Sequence, residues 1–288
     1  MQKEGRGLCG QEEKCTFAAI KGENNRIMTV YRKQYTVVAS DMDVTYRMTP
    51  NAVMLYFQDA FARCLTARRL AAFDLVQQQL LWVITGFEVD YCGERPLWSD
   101  EIGVEIRFSA ITPVRTYVAF RLYDAHNGLF AEGNSCWVLI NSVTKRPCAV
   151  QPLLAAAGIT ADGQEAPAMD WLAGRPGSPA LEVKHQVNVT DLDFNGHVCN
   201  RSYLSIAMAT APLDFVRSAV PRQLKIRFLR EAFMGEELTC SVFSSPAEPL
   251  TYWHEIGNAQ GKAVCSICSR WEPVGAGGLR DVAELVTR

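Results

Sequence analysis

The stretch that carries the most chemistry in this sequence is Asp191-Leu192-Asp193-Phe194-Asn195-Gly196-His197-Val198. It combines two carboxylates, an amide and an imidazole with apolar residues between them. Alternate side chains of an extended segment share one face, so we expect Asp193, Asn195 and His197 to point the same way. Together these three groups are what the activation of a water molecule beside a carbonyl group requires.

An altered copy of this stretch lies 150 residues earlier and reads Asp41-Met42-Asp43-Val44-Thr45-Tyr46-Arg47-Met48. Its two aspartates match, but Thr45 stands in place of the amide and Arg47 in place of the imidazole. The correspondence continues, since residues 98–102 resemble residues 234–238. A repeat of about 140 residues is too long for a solenoid, so we predict two homologous domains in tandem. We expect the first domain to have a degenerate polar site.

The composition is that of an ordinary globular protein. The 288 residues, 48% hydrophobic and 21% charged, are enough for two domains that each bury a core. The net charge of −2 gives no general attraction to nucleic acid or to anionic membranes. No run of about 18 apolar residues predicts a membrane span, and the first residues lack the pattern of a signal or transit peptide. We therefore expect a cytoplasmic protein with no nucleic-acid or membrane partner.

The ten cysteines are scattered singly through apolar runs. Because no export signal is recognised, a reduced chain is a simpler interpretation than a disulfide framework. Cys265 and Cys268 have the spacing of a metal or redox pair, but no second pair accompanies them. We predict no metal site and no cofactor.

Each half of the chain has the same predicted order of elements: a short strand, the aspartate segment, a helix and a meander of strands. In the first half, Thr49 and Pro50 predict the start of a helix that runs to about residue 70. In the second half, the helix is predicted at residues 200–211. A long buried helix followed by antiparallel strands predicts an α+β fold in which each sheet wraps around one long helix.

These patterns also give the domain boundaries. We predict a flexible N-terminal tail at residues 1–25, a first domain at 26–150, a linker at 151–180 and a second domain at 181–288. The linker is rich in alanine, glycine and proline. It is long enough to return the chain across one domain, so that the two sheets can pair edge to edge.

The order of elements resembles the hot-dog fold, and the tandem form with Asp-x-Asn-x-His in the second copy resembles the acyl-ACP thioesterases of bacteria and plant plastids. That family carries a segment similar to residues 191–200, then a tyrosine on the following helix, here Tyr203, and an Arg-Glu pair, here Arg230 and Glu231. The likeness covers residues 31–271. It implies two tandem hot-dog domains and hydrolysis of fatty acyl-acyl carrier protein to free fatty acid and carrier protein.

The sequence departs from the family pattern at three positions. Cys199 replaces the first asparagine after His-Val, Ile206 stands where a tryptophan is usual, and Ala232 replaces the cysteine that commonly follows the glutamate. The last change argues against a cysteine nucleophile. The carboxylate carried over from the family is therefore Glu231.

The resemblance assigns catalytic roles to four residues. His197, oriented by Asp193, would accept the proton of the attacking water, and Asn195 would donate its amide to the thioester carbonyl. Glu231 would hold the water or serve as the base itself, and the sequence does not decide between these roles. The structural alternatives are a helix-capping role for His197, a turn-forming role for Asp193 and a solvated position on a strand for Glu231.

In the family, the first domain shapes the acyl pocket. The residues that could do so here are Val53, Phe57, Phe61 and Trp82, for which packing in the core is the equal alternative. Two other functions stay open: a hot-dog dehydratase or hydratase that acts on acyl thioesters, and a non-catalytic acyl-binding module. Acyl carrier protein is the expected partner, and the sequence leaves a homodimer open.

Overall fold

The structure is a computed structural model that describes residues 28–168 and 175–275. The first half contains the elements β1 Tyr31–Thr36, α1 Pro50–Thr66, α2 Ala72–Leu75, β2 Leu80–Tyr91, β3 Glu101–Ile111, β4 Arg115–Tyr123, β5 Leu129–Asn141 and α3 Gln151–Ala156. The second half contains β6 Leu181–Gln186, α4 Asn200–Met208, α5 Leu213–Ser218, β7 Ala219–Phe228, β8 Glu237–Ser245, β9 Glu248–Asn258 and β10 Ala263–Pro273. The predicted tail at residues 1–25 lies outside the described residues.

All ten strands belong to one sheet, in the order β1-β3-β4-β5-β2-β7-β10-β9-β8-β6. The pairings between these strands are antiparallel. The two halves join where β2 pairs with β7, for example Val89 with Leu224. This pairing confirms the prediction that the two sheets meet edge to edge, and it leaves β1 and β6 at the two outer edges.

Helix α1 begins as predicted. The Thr49 hydroxyl accepts a hydrogen bond from the backbone N–H of Ala52 at 3.1 Å, and Pro50 occupies the first helical position. The helix buries its apolar face against the sheet, where the ring of Phe57 stacks on that of Phe120 at 4.3 Å between centroids. It ends at Thr66, and Arg69 then adopts a φ of 57°. The end is therefore four residues earlier than predicted.

Within its described residues, the second half contains no helix as long as α1. Helix α4 has 9 residues, against 17 in α1, and the chain continues into the 6-residue helix α5. Pro212 explains the interruption, because proline has no N–H to continue the helix and disfavours helical geometry in the residue before it. The helix predicted at residues 200–211 is present, but it ends three residues earlier, at Met208.

The described part of the predicted linker packs against the first half. It begins with α3, and the N–H groups of Asp162 and Gln164 then donate to the carbonyl groups of Phe108 and Ser109 on β3. Its continuation at residues 169–174 lies outside the described residues.

Within the described ranges, no helix has the length and apolar character needed to cross a membrane. The same residues contain no cluster of three or more His, Cys, Asp or Glu that could hold a metal ion.

Candidate active site

The Asp-Asn-His segment forms a tight turn between Asp193 and His197. The N–H of Asp193 donates to the carbonyl of His197 at 2.8 Å, and that of Gly196 donates to the carbonyl of Asp193 at 3.0 Å. The carboxylate of Asp193 accepts the N–H groups of Asn195 at 2.8 Å and His197 at 3.3 Å. The prediction of an extended segment is wrong, because this carboxylate closes a turn that Gly196 permits with its φ of 77°.

Backbone pairing places this turn beside Glu231. Val198 donates its N–H to the carbonyl of Ala232 at 2.9 Å, and His197 forms a bridge with Phe233. The imidazole of His197 also meets the ring of Phe233 edge-on, with 5.0 Å between ring centroids. Because these contacts hold the turn against residues 231–233, they set the distance between the imidazole and the Glu231 carboxylate.

Glu231 is the carboxylate that faces the imidazole. Its Oε1 lies 3.6 Å from Nδ1 of His197, which is an ion-pair distance and longer than a direct hydrogen bond. Asp193, in contrast, contacts the backbone N–H of His197. The expectation that Asp193 orients the imidazole is therefore corrected, since its carboxylate is occupied within the turn. One of its oxygens also accepts the Asn195 amide, with 3.3 Å between Nδ2 and Oδ2.

Lys145, from the first half, reaches the same carboxylate. Its Nζ lies 3.0 Å from Oε1 and 3.3 Å from Oε2 of Glu231. The sequence alone does not assign Lys145 to the site. The two partners are 86 positions apart, so no local spacing connects them.

A cavity of about 240 Å³ brings the four catalytic candidates together between the two halves. The second half contributes Asp193, Asn195, His197, Val198, Asn200, Tyr203, Phe228, Leu229, Arg230 and Glu231. The first half contributes Leu81, Trp82, Val83, Ile84, Thr85 and Trp137. One end of the cavity is thus polar, and the wall formed by β2 and β5 is largely apolar.

Of the four predicted acyl-pocket residues, Trp82 lines this cavity. Its indole N–H donates to the carbonyl of Leu70 at 3.0 Å, which fixes the ring. Val53 and Phe57 are instead fully buried in the core, because α1 turns that face toward the sheet. Phe61 is also buried and packs behind the wall, with 6.2 Å between its ring centroid and that of Trp82.

Tyr203 is a buried member of the cavity wall. Burial raises the pKa of its phenol above the ordinary value, so the hydroxyl stays protonated at neutral pH. The hydroxyl lies 3.5 Å from the carbonyl oxygen of Arg230. This geometry fits a packing role with a weak polar contact.

The altered copy in the first half folds into the same turn. The carboxylate of Asp43 accepts the N–H of Thr45 at 2.8 Å, and the N–H of Asp43 donates to the carbonyl of Arg47 at 2.9 Å. Tyr46, with a φ of 59°, takes the place of Gly196. The repeat identified in the sequence is therefore a repeat of backbone geometry as well.

Each turn forms an antiparallel β-bridge with a later segment of the chain. Arg47 pairs with Leu97, and His197 pairs with Phe233. Two residues before each bridge partner stand Arg95 in the first half and Glu231 in the second. The guanidinium of Arg95 is buried and lies 2.8 Å from both Oδ2 of Asp43 and the carbonyl oxygen of Met48. A buried ion pair thus lies at the positions that correspond to Asp193 and Glu231 in the second half, and Arg47 stands at the position of the imidazole.

Comparison with known families identifies the two parts of the chain that meet at this cavity. Residues 28–157 match the acyl-ACP thioesterase N-terminal domain, and residues 178–273 match the acyl-ACP thioesterase C-terminal domain. The chain belongs to the acyl-ACP thioesterase family. The cavity lies between the parts of the chain that match the family's two domains, and all four catalytic candidates lie in the C-terminal part.

Solved structures of acyl-ACP thioesterases share the fold. An acyl-ACP thioesterase from Bacteroides thetaiotaomicron has a TM-score of 0.73 at 16% identity and covers 84% of this chain and 98% of its own. A protein from Lactobacillus plantarum named as an oleoyl thioesterase has a TM-score of 0.78 at 21% identity, covering 87% and 99%. The 12:0-ACP thioesterase from Umbellularia californica has a TM-score of 0.70 at 17% identity, covering 88% and 100%. No curated protein sequence matches the chain.

Proposed function

We propose that this acyl-ACP thioesterase hydrolyses the thioester of fatty acyl-acyl carrier protein in the cavity between its two halves. The products are free fatty acid and carrier protein. The observation that carries the proposal is the convergence of Asp193, Asn195, His197 and Glu231 on one cavity beside an apolar wall. Thioester hydrolysis needs a positioned water, a base, a donor for the carbonyl oxygen and space for an acyl chain.

The polar side chains have different roles in thioester hydrolysis. Asn195 uses one N–H toward Asp193 and has a second for the carbonyl oxygen, which becomes negative as water attacks the carbonyl carbon. His197 faces Glu231 through Nδ1, so Nε2 is the nitrogen that can accept the proton of the water. Glu231 then stabilises the imidazolium that forms, or holds the water itself. When the C–S bond breaks, the proton passes to the leaving thiolate.

The apolar wall accommodates the acyl chain. Trp82 forms this wall with Leu81, Ile84 and Trp137, and the hydrogen bond to Leu70 holds the indole in place. Phe61 supports the wall from the core, where its ring lies 4.5 Å from that of Trp137. Val53 and Phe57 contribute through the packing of α1, without contact with the cavity.

We further propose that the two halves are tandem hot-dog units with divided roles. The unit at residues 26–150 supplies the acyl wall, and the unit at residues 181–288 supplies the catalytic side chains. The segment at residues 151–180 is the linker between the two units. The five strands that each half contributes to the sheet support this division. A cytoplasmic location and a homodimer stay predictions.

The test is an assay of free thiol release from acyl-acyl carrier proteins of several chain lengths. A thioesterase releases one thiol for each fatty acid formed. Formation or hydration of a double bond without thiol release would indicate the dehydratase or hydratase alternative. Tight binding of acyl carrier protein without any product would indicate the acyl-binding module.

A further inference from the structure

Lys145 joins the two halves at the catalytic carboxylate. Its ammonium group contacts both oxygens of Glu231, at 3.0 and 3.3 Å. Lysine can rotate its ammonium to face both oxygens of one carboxylate, and this contact restricts the rotation of the carboxylate. One of those oxygens is the atom that lies 3.6 Å from Nδ1 of His197.

The turn that presents Lys145 is held by side-chain and backbone contacts. The side-chain oxygen of Asn141 accepts the N–H groups of Val143 at 3.0 Å and Thr144 at 2.8 Å. The N–H of Lys145 donates to the carbonyl of Asn141 at 2.8 Å. Lys145 itself has a φ of 57°, in the left-handed region that a non-glycine residue rarely adopts. Such a backbone persists where its surroundings determine it, often at functional sites.

Lys145 does not line the cavity, whereas Glu231 and His197 do. Its effect on the reaction must therefore pass through Glu231. We infer that Lys145 is a positioning residue, which reaches across from the first half to fix the Glu231 carboxylate beside His197. This inference rests on the proposed function for the kinetic part of its test.

Several ionisable groups face Glu231. Lys145 approaches from the turn after β5, His197 from the turn before α4, and Tyr203 from α4 itself. Asp193 lines the same cavity, and the neighbouring Arg230 turns its guanidinium to the carbonyl of Ala263. Within this set, Lys145 contacts both oxygens of the carboxylate.

The first measurement needs no turnover. The chain has four histidines, and His197→Ala identifies the NMR signal of that ring. In Lys145→Met, we expect the signals of the His197 ring at a fixed neutral pH to change position, because Lys145 no longer holds the carboxylate beside Nδ1. Unchanged ring signals would overturn the inference.

The second measurement is the steady-state rate of thiol release. We expect kcat of Lys145→Met to fall about tenfold through loss of positioning. KM should stay within about twofold, and kcat of Lys145→Arg, which keeps the charge, should stay within about threefold of the wild type. In a Glu231→Gln background, Lys145→Met should add no further loss. A wild-type kcat for Lys145→Met would overturn the inference.

Lys184→Met is the matched control, because it removes an exposed ion pair of similar length, 2.8 Å, to Glu237 between β6 and β8. It should leave both readouts at the wild-type values. Failure of the proposed function has a different signature. The wild type would then release no thiol, while the ring signals of His197 would still show whether Lys145 acts on this pair.

Discussion

Arg95 and Glu231 occupy equivalent positions in the two repeats and carry opposite charges. Each stands two residues before the residue that forms a β-bridge with the turn at residues 193–197 or with its altered copy. Arg95 is buried and paired with Asp43, whereas Glu231 is partly exposed and faces an imidazole across a cavity. The same backbone thus supports a closed ion pair in one half and an open polar site in the other.

This relationship predicts a large cost for Arg95→Met. The change leaves the carboxylate of Asp43 without its 2.8 Å partner in a mostly buried position. Breaking one side of a buried pair costs about 3–5 kcal/mol of unfolding free energy. Urea unfolding at neutral pH measures the effect. Arg121→Met, which removes an exposed 3.0 Å pair with Glu132, should cost at most about 1 kcal/mol. Equal costs for the two variants would contradict the burial argument.

Glu231→Gln tests the open site. The amide keeps the volume of the side chain but loses the charge that faces His197 and Lys145. We expect turnover to fall about 10²-fold, in the range of a lost acid-base group, while the melting temperature stays close to that of the wild type. Steady-state kinetics with thermal melting as the fold control provides the measurement. A wild-type rate would mean that Glu231 is a surface carboxylate without a catalytic role.

Trp82 lines the proposed acyl wall, whereas Phe57 is buried in the core. Trp82→Ala enlarges the cavity, so we expect the preference for acyl chain length to change while the unfolding free energy falls less than in Phe57→Ala. Phe57→Ala should lower the unfolding free energy by about 3–5 kcal/mol, as for other buried aromatic residues, and leave the chain-length preference unchanged. Competition between acyl-carrier-protein substrates measures the preference. A change of chain-length preference in Phe57→Ala, with none in Trp82→Ala, would mean that Phe57 and not Trp82 contacts the acyl chain.

The sequence predicts much of this architecture because a repeat constrains the whole order of elements. The strand-turn-helix-meander order and the edge-to-edge pairing follow from matching two halves. The second helix ends earlier than predicted, although Pro212 is a visible signal for an earlier end. The alternation of apolar and polar residues at Asp193 predicts an extended segment, whereas the structure has a turn. This alternation fits both geometries, and residue spacing does not give the φ of Gly196.

Other features lack any local signal. Lys145 meets Glu231 across 86 positions, a contact that depends on the pairing of β2 with β7. Val53 and Phe57 share the apolar character of an acyl pocket, and the direction of α1 alone decides that they face the core. Contacts of this kind follow from tertiary packing, which a single sequence does not encode in its spacing.

His254 gives the molecule a pH-dependent stability. Burial lowers the pKa of its imidazole to about 4, so the folded state favours the neutral ring. The unfolded chain, with a pKa of about 6.5, binds the proton first as the pH falls. The contribution of the neutral His254 ring to the unfolding free energy is therefore fully present above pH 6.5. It is lost as the pH falls from 6.5 to about 4, and the total loss is at most about 3 kcal/mol.

Urea unfolding of the wild type and His254→Gln at several pH values tests this contribution. The difference between their unfolding free energies should change in favour of the variant as the pH falls through that window. His126→Gln, at an exposed position, should follow the wild type throughout. A constant difference between wild type and His254→Gln would contradict a neutral buried ring.

The most direct test of the central claim is the rate of thiol release from acyl-acyl carrier protein by the wild type and by His197→Ala. His197 lines the cavity, and its Nδ1 faces Glu231 at 3.6 Å. The account predicts that wild-type protein releases thiol and fatty acid in equal amounts. It also predicts that His197→Ala, with its fold intact by thermal melting, is slower by about 10² or more. A folded His197→Ala protein that keeps more than about a third of the wild-type rate would contradict the assignment of this cavity as the catalytic site.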